Sequence, residues 1–137
     1  MVIRPARKKD HAAILAILEE TDLFYAGIPL MNFYAAEEGG KVLGIVQFKE
    51  YKDYYFISSL GVGAKEQGKG IATKLINYLL GKTRPGKKIC LYTVIPAFFE
   101  KFGFKLSSCA KNLPPKELYQ CKDCFPKKCK CMVKDNR

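Results

Sequence analysis

The sequence predicts an α/β (α+β) domain in which helices flank a mixed sheet, and three observations carry this prediction. Apolar runs of strand length alternate with runs of helical period along the chain. Gly39-Gly40 separates two strand-like runs, which is a hairpin signal. Between Ile71 and Leu80 the apolar residues recur at intervals of four, as in an amphipathic helix. The 137 residues suffice for one hydrophobic core.

The predicted elements follow the order β-α-β-β-β-α-β-α-β, and a short extra helix after the first is left open. The first strand is MVIRPA and the first helix is DHAAILAILEE, with Asp10 as its N-cap. Gly27 and Pro29 break the pattern between residues 21 and 32. The later strands and helices are, in chain order, Phe33–Glu38, Lys41–Glu50, Tyr54–Val62, Ile71–Leu80, Ile89–Ile95, Pro96–Phe102 and Phe104–Ala110.

The charge of the chain favours anionic partners. Its 24 basic and 13 acidic residues give a net charge of +11, of which residues 110–137 carry +5. Nucleic acid is one such partner and a phosphorylated cofactor is another. The apolar run Ala12–Leu18 is too short for a membrane span and ends in two glutamates. We therefore expect a cytoplasmic protein without a membrane partner.

The segment GVGAKEQGKGIATK, residues 61–74, joins the predicted strand Tyr54–Val62 to the predicted helix Ile71–Leu80. Two glycines, Gly68 and Gly70, let an anion approach the unpaired N–H groups at the helix N-terminus, and nearby lysines add positive charge. The segment departs from the nucleoside-triphosphate loop because Gly70 stands where a Mg²⁺-binding hydroxyl is required. It departs from the dinucleotide fingerprint because Glu66 replaces the third glycine. The pattern indicates a phosphate-binding turn of another kind.

The run QGKGIA, residues 67–72, fits the pattern [QR]-x-x-G-x-[GA]. With ISSLGV before it, PAFFEKFGF after it and IRPARKKD near the N-terminus, the chain resembles the GNAT superfamily of N-acetyltransferases over about residues 2–106. This resemblance implies the GNAT fold, a mixed and mostly antiparallel central sheet flanked by helices, over residues 1–109. It also implies acetyl-CoA as the co-substrate and a small-molecule amine as the acceptor, with a monomer or a homodimer equally open.

The same resemblance assigns the cofactor contacts. The backbone from Gln67 to Ala72 would bind the pyrophosphate, with Thr73 at its edge. The pantetheine arm would pair with Leu60–Val62, and the Leu60 N–H would polarise the thioester carbonyl. The cofactor-binding residues implied in this way are Leu60, Gly61, Val62, Gln67, Gly68, Lys69, Gly70, Ile71, Ala72 and Thr73.

The chain departs from the family at both proton-transfer positions. Phe99 stands where the family has a proton-donating tyrosine, and Tyr92 or a water is an open substitute. Phe56 stands near the position of the usual glutamate base, so general acid and base are both unassigned. The one histidine, His11, is interpreted as a surface residue. An α-amine, with a pKa of about 7.7–8.0, needs little help from a base, which favours an α-amine acceptor.

The run FFEKFGF followed by LPPKELYQC is similar to the amino-acid N-acetyltransferases of arginine biosynthesis. That similarity implies the α-amine of an amino acid such as glutamate as the acceptor. Arg4, Arg7 and Lys41 are candidate contacts for a dicarboxylate, or else simply solvated charges.

Residues 110–137 read as a basic, Cys-rich extension packed on the same domain. Four cysteines, Cys121, Cys124, Cys129 and Cys131, fall within eleven residues and predict a zinc site. An iron–sulfur cluster, unligated thiols and disulfides remain open, whereas Cys90 and Cys109 are expected to be buried thiols in strands.

A second function is also open: a CoA-binding or nucleic-acid-binding module with a zinc-knuckle tail and no acetyltransferase activity. A nucleic-acid partner is disfavoured because Tyr119 and Phe125 are the two aromatic residues available for base stacking in the tail.

Overall fold

A computed structural model describes residues 1–24, 26–93, 95–106 and 130–135, and it contains the mixed sheet that the sequence predicts. The strands are β1 (Val2–Pro5), β2 (Phe33–Glu38), β3 (Lys41–Glu50), β4 (Tyr54–Val62), β5 (Lys88–Thr93), β6 (Lys105–Leu106) and β7 (Lys130–Lys134). The helices are α1 (His11–Glu20), α2 (Ile71–Leu80) and α3 (Pro96–Glu100), with 3-10 turns at Lys8–Asp10 and Ala64–Glu66. Four elements, β2, β3, β4 and α2, have the predicted bounds.

The sheet has the order β1-β2-β3-β4-β5-β7-β6 and is mostly antiparallel. Strands β4 and β5 run parallel, with Tyr54 opposite Lys88 and Ile57 opposite Leu91. The pairs β1–β2, β2–β3, β5–β7 and β6–β7 are antiparallel. The predicted fold class is confirmed.

The chain divides into two compact units. The first comprises Met1–Lys49 and Ser58–Thr83, and the second comprises Glu50–Ile57 and Arg84–Arg137. Strand β4 therefore contributes its C-terminal residues to the first unit and its N-terminal residues to the second.

In the first unit, helices pack on both faces of β3. A buried cluster joins α1 to the sheet and consists of Ile14, Ile17, Leu18, Ile28, Phe33 and Ile45. Next to Ile45, Gly44 faces the opposite side, because successive residues of a strand alternate between faces. A Cβ on Gly44 would lie 2.9 Å from Cγ2 of Ile71, so glycine here allows α2 to approach β3 closely.

In the second unit, β5 is largely buried, and α3 adds an aromatic cluster. Ile89, Cys90 and Leu91 are buried, as is Met132 on the adjacent β7. The rings of Phe98 and Phe99 lie edge to face with centroids 4.9 Å apart.

Strand β7 was missed by the sequence analysis, which read residues 110–137 as a basic, Cys-rich extension. Its sequence KCMVK is short and ends in lysines at both sides, so its two buried residues, Cys131 and Met132, are hidden in a basic and Cys-rich run. Its pairing partner β5 lies about forty residues earlier, which a local pattern cannot reveal. The predicted last strand at Phe104–Ala110 is observed as Lys105–Leu106, and residues 107–110 lie outside the described residues.

Asp10 stands at the N-cap position of α1, as predicted, but its side chain has another role. Asp10 has helical backbone angles and its side chain makes no capping hydrogen bond to α1 among the described residues. Its carboxylate instead accepts a 2.7 Å hydrogen bond from the Arg7 N–H, which closes the 3-10 turn before α1. The optional helix after α1 is not found in residues 21–24 or 26–32. No helix in the described part of the chain is long and apolar enough to cross a membrane.

Candidate functional site

Strand β4 departs from regular strand conformation at one residue of its second half, Ser59, and we call this departure the bend. The ladder that joins β4 to β5 covers Tyr54 to Ile57, and β4 then continues to Val62. Within this continuation, Ser59 has a φ of +53°, a left-handed conformation that non-glycine residues seldom adopt. A left-handed residue turns the following peptide group out of the direction it has in a regular strand. That peptide group carries the Leu60 N–H.

Gly61 on the same strand is required by α1. A Cβ at this position would lie 3.1 Å from Cγ2 of Ile17 and 3.2 Å from Oγ1 of Thr21. The absence of a side chain at Gly61 therefore lets α1 approach β4 closely.

The glycine turn after β4 leads directly into α2. Gly68 and Gly70 have φ values of +83° and +81°, and a Cβ on either would meet no described atom within 4 Å. The two glycines are therefore needed for backbone conformation, and the space in front of them is open. Gly70 is the N-cap of α2, so no cap side chain occupies the N–H groups of the first helical turn. These N–H groups and the helix dipole favour a bound anion.

Several hydrogen bonds hold the turn against the end of β4. The Gln67 side-chain amide donates to the Val62 carbonyl at 3.1 Å, and the Gly63 N–H donates to the Leu43 carbonyl at 2.9 Å. The ammonium of Lys69 lies 2.8 Å from Glu66, whose pKa is lowered mainly by this hydrogen bond. Lys69 is therefore ion-paired within the turn.

The sequence-predicted cofactor residues thus lie together in the first unit. Leu60, Gly61 and Val62 end β4, and Gln67 to Thr73 form the turn and the first turn of α2. The open, left-handed glycine turn at a helix N-terminus fits a diphosphate, and the bent strand beside it fits an extended arm that pairs through its backbone. The structure is therefore compatible with CoA.

The two positions that the sequence resemblance aligned with an acid and a base hold packed phenylalanines. Phe99 is 4% exposed and contacts the rings of Phe98 and Phe104. Phe56 is buried, and its ring centroid lies 5.9 Å from that of the half-buried Tyr92. Neither phenylalanine can transfer a proton.

Arg4 is not available as an acceptor contact. Its guanidinium binds both oxygens of Asp10, at 2.7 and 3.0 Å, and Oε1 of Glu37 at 3.0 Å. The hydrogen bond from Arg4 is the main reason why the pKa of Asp10 lies far below its usual range. Arg7 and Lys41 are exposed, and His11 is half-buried in the first turn of α1. The sequence analysis treated Arg4 as a ligand contact or a solvated charge, and the structure makes it part of a largely buried ion-pair network.

Gln47 is a second buried polar residue that the sequence analysis missed. It lies in β3, is completely buried, and makes three side-chain hydrogen bonds, to Pro29, Met31 and Ser58. The signal was a single amide in the apolar run VLGIVQF, since a polar residue in a buried strand needs partners.

The cysteines are described only in part. Cys90 is buried in β5 as predicted, and burial raises the pKa of its thiol to about 11, with a smaller effect from Cys131. Cys131 is buried in β7, opposite Tyr92. Cys109, Cys121, Cys124 and Cys129 lie outside the described residues. No group of three or more His, Cys, Asp or Glu suited to a metal ion occurs in residues 1–24, 26–93, 95–106 and 130–135.

Solved structures with the same fold are numerous. The N-acetylglutamate synthase of Neisseria gonorrhoeae, complexed with coenzyme A and N-acetyl-glutamate, is 19% identical with a TM-score of 0.76; 99% of this chain and 35% of the synthase are covered. The present chain therefore spans about a third of that enzyme. Rv2747 of Mycobacterium tuberculosis, in complex with CoA, is 21% identical with a TM-score of 0.75, and the two chains are covered to 98% and 99%.

The ribosomal-protein-S18-alanine N-acetyltransferase of Escherichia coli is 15% identical with a TM-score of 0.71, and 98% of this chain and 93% of that enzyme are covered. A comparison with curated protein sequences finds no match. The family model described as an acetyltransferase (GNAT) domain matches residues 29–106, which is more than half of the chain and includes both β4 and the glycine turn. The chain therefore belongs to the GNAT family of acetyltransferases.

Proposed function

We propose that this GNAT acetyltransferase moves the acetyl group of acetyl-CoA directly to the α-amine of an amino acid such as glutamate. The observation that carries the proposal is the glycine turn, open and left-handed at Gly68 and Gly70, at the N-terminus of α2. It directly follows a strand that is bent at Ser59, so the anion-binding groups and the bent backbone are adjacent in the first unit.

The roles of the chain's own residues follow from this arrangement. The backbone from Gln67 to Ala72 would hold the diphosphate, and the Thr73 hydroxyl would lie at its edge. The backbone of Leu60–Val62 would pair with the pantetheine arm. The Leu60 N–H, which Ser59 turns out of the strand, would donate to the carbonyl oxygen on which negative charge develops.

The proposed acceptor is consistent with the missing acid and base. Acetyl-CoA supplies an activated thioester, and CoA would leave as a thiolate. Because the pKa of its thiol is near that of cysteine, about 8.5, this thiolate can leave without the proton donor that Phe99 cannot be. An α-amine of pKa about 7.7–8.0 is partly neutral at pH 7, whereas a lysine amine of pKa about 10.4 would need a base. The similarity of residues 98–121 to amino-acid N-acetyltransferases supports the same class of acceptor.

Tyr92 and a water molecule remain the candidate proton donors. Tyr92→Phe removes the hydroxyl while keeping the ring that contacts Phe56. If Tyr92 is the donor, kcat should fall about 10²-fold and the alkaline limb of its pH profile should change. An unchanged profile would assign the proton to water.

A second candidate function is a binding module without transferase activity. Such a module would bind CoA, or it would bind nucleic acid through its tail. The observation that favours it is that buried phenylalanines occupy both proton-transfer positions, Phe56 and Phe99.

We also propose that Cys121, Cys124, Cys129 and Cys131 bind one zinc ion in a basic tail comprising residues 110–137. This tail follows residues 1–109 of the acetyltransferase domain and contributes β7 to the sheet. Clustered cysteines in a reducing compartment favour metal over disulfides, and the cytoplasm stays the predicted location. Metal analysis of protein prepared without chelators should find about one zinc per chain. Protein that contains no zinc would overturn this proposal, and iron in place of zinc would indicate an iron–sulfur cluster instead.

The proposed reaction is tested by mass spectrometry of mixtures that contain the protein, acetyl-CoA and one acceptor from a panel of amino acids, polyamines and peptides. We expect an N-acetyl amino acid as the product. An assay of released thiol is unsuitable because the chain itself has six cysteines. Acetylation of a peptide or a polyamine, and of no amino acid, would show that the proposed class of acceptor is wrong. Calorimetric binding of CoA without any product would favour the second candidate function.

A further inference from the structure

Gln47 makes three hydrogen bonds from a fully buried position on β3. Its amide nitrogen donates to the carbonyl oxygens of Pro29 and Met31, at 3.1 and 2.9 Å. Its amide oxygen accepts from the Ser58 hydroxyl at 2.9 Å. Both N–H donors and one acceptor position of the amide are therefore used.

The partners of Gln47 belong to two different stretches of backbone. Pro29 and Met31 lie in the irregular segment between α1 and β2, where Met31 is 72% exposed and Asn32 has a φ of +65°. Ser58 lies on β4 immediately before the left-handed Ser59. One buried side chain thus connects an irregular segment to the residue that precedes the bend.

An amide is not needed at this position for packing alone. An apolar side chain of similar size would fill the same space, and burying it would avoid the desolvation of an amide. An apolar side chain, however, cannot form the hydrogen bonds that hold two carbonyl oxygens and one hydroxyl in a fixed arrangement. The amide therefore fixes the positions of these three groups. Through Ser58, it also fixes the position of the backbone next to the bend.

We propose that Gln47 is a positioning residue for the acetyl transfer proposed above. It holds Ser58, and the bend at Ser59 in turn directs the Leu60 N–H. The same amide holds residues 29–31, so that the order of this segment and the shape of the bend are coupled. This inference rests on the proposed function.

The test compares Gln47→Leu with Ser58→Ala, each alone and combined, in the full chain. Gln47→Leu should lower kcat about tenfold or more, while the KM for acetyl-CoA stays within about twofold because the glycine turn is unchanged. Since Gln47 and Ser58 act as one unit, the double variant should be no slower than the slower single variant. Ser58→Thr keeps a hydroxyl and should therefore retain most of the wild-type kcat, in contrast to Ser58→Ala.

Hydrogen exchange provides a readout that does not depend on activity. Gln47→Leu should increase amide exchange at residues 29–32 and at residues 58–60 in the CoA-free protein, whereas exchange in α2 should not change. Loss of stability alone would raise exchange throughout the unit and would leave the kcat of the folded fraction unchanged. If Gln47→Leu fails to fold, Ser58→Ala at its half-buried position carries the same kinetic test.

The outcomes separate this inference from the proposed function. An active wild type together with folded variants that retain kcat, or variants whose effects are additive, would overturn the positioning role of Gln47. A wild type that binds CoA and acetylates no acceptor would overturn the proposed function and, with it, this inference.

Discussion

The glycine turn yields a quantitative prediction for Gly70→Ala. Gly70 has a φ of +81° and open space around its missing Cβ, so alanine would meet no described atom within 4 Å. The expected destabilisation comes from the backbone alone, because an L-residue in the left-handed region costs about 1–2 kcal/mol. We expect the free energy of unfolding to fall by this amount, as measured by urea denaturation of the CoA-free protein.

The same substitution should weaken CoA binding by more than the backbone effect explains. The new methyl group would stand at the N-cap of α2, in front of the N–H groups proposed to hold the diphosphate. A loss of tenfold in affinity corresponds to about 1.4 kcal/mol, and we expect at least this loss in calorimetric titrations with CoA.

Gly86→Ala is the matched control. Gly86 has a φ of +89° and equally open surroundings, but it lies in the turn between α2 and β5. It should show a similar loss of stability and retain the CoA affinity of the wild type. Wild-type affinity in Gly70→Ala, or an equal loss in both variants, would refute the assignment of the turn.

Three further predictions concern stability. Arg4 holds the pKa of Asp10 well below its value in the unfolded chain. The contribution of Asp10 to the free energy of unfolding is therefore present at neutral pH and is lost as the pH falls below about 4. Asp10→Asn should therefore cost about 3 kcal/mol at pH 7 and flatten the acid limb in urea titrations from pH 7 to 2; an unchanged acid limb would contradict this. Burial raises the pKa of Cys90 to about 11, so the free energy of unfolding should fall by up to about 3 kcal/mol between pH 9 and 11. The decrease should be absent in Cys90→Ala, and its persistence there would assign it to another group. Ser59→Val should destabilise by about 1–3 kcal/mol, since a β-branched side chain opposes a φ of +53°, whereas Ser59→Gly should be tolerated; equal stability of the two variants would argue against the bend.

Local patterns in the sequence determined much of the fold. The bounds of β2, β3, β4 and α2 follow from alternation, from a period of about four and from the glycines that end each run. The glycine turn was also accessible, because Gly68 and Gly70 stand in one short segment whose neighbours are a strand and a helix. In these cases the deciding interactions join residues that are close in the chain.

The tertiary structure decided the features that depend on distant partners. Strand β7 exists because its buried residues complete β5, and the role of Arg4 became clear only when β2 placed Glu37 beside it. The backbone of Ser59 is left-handed, and a serine in the sequence does not indicate this conformation. Gln47 is a conspicuous amide in the sequence, but its partners are eleven to eighteen residues away. Sequence alone thus determined the family and the position of the glycine turn. The packed structure determined the conformation of the strand beside that turn and the contacts that hold it, because these contacts form only when separate elements meet.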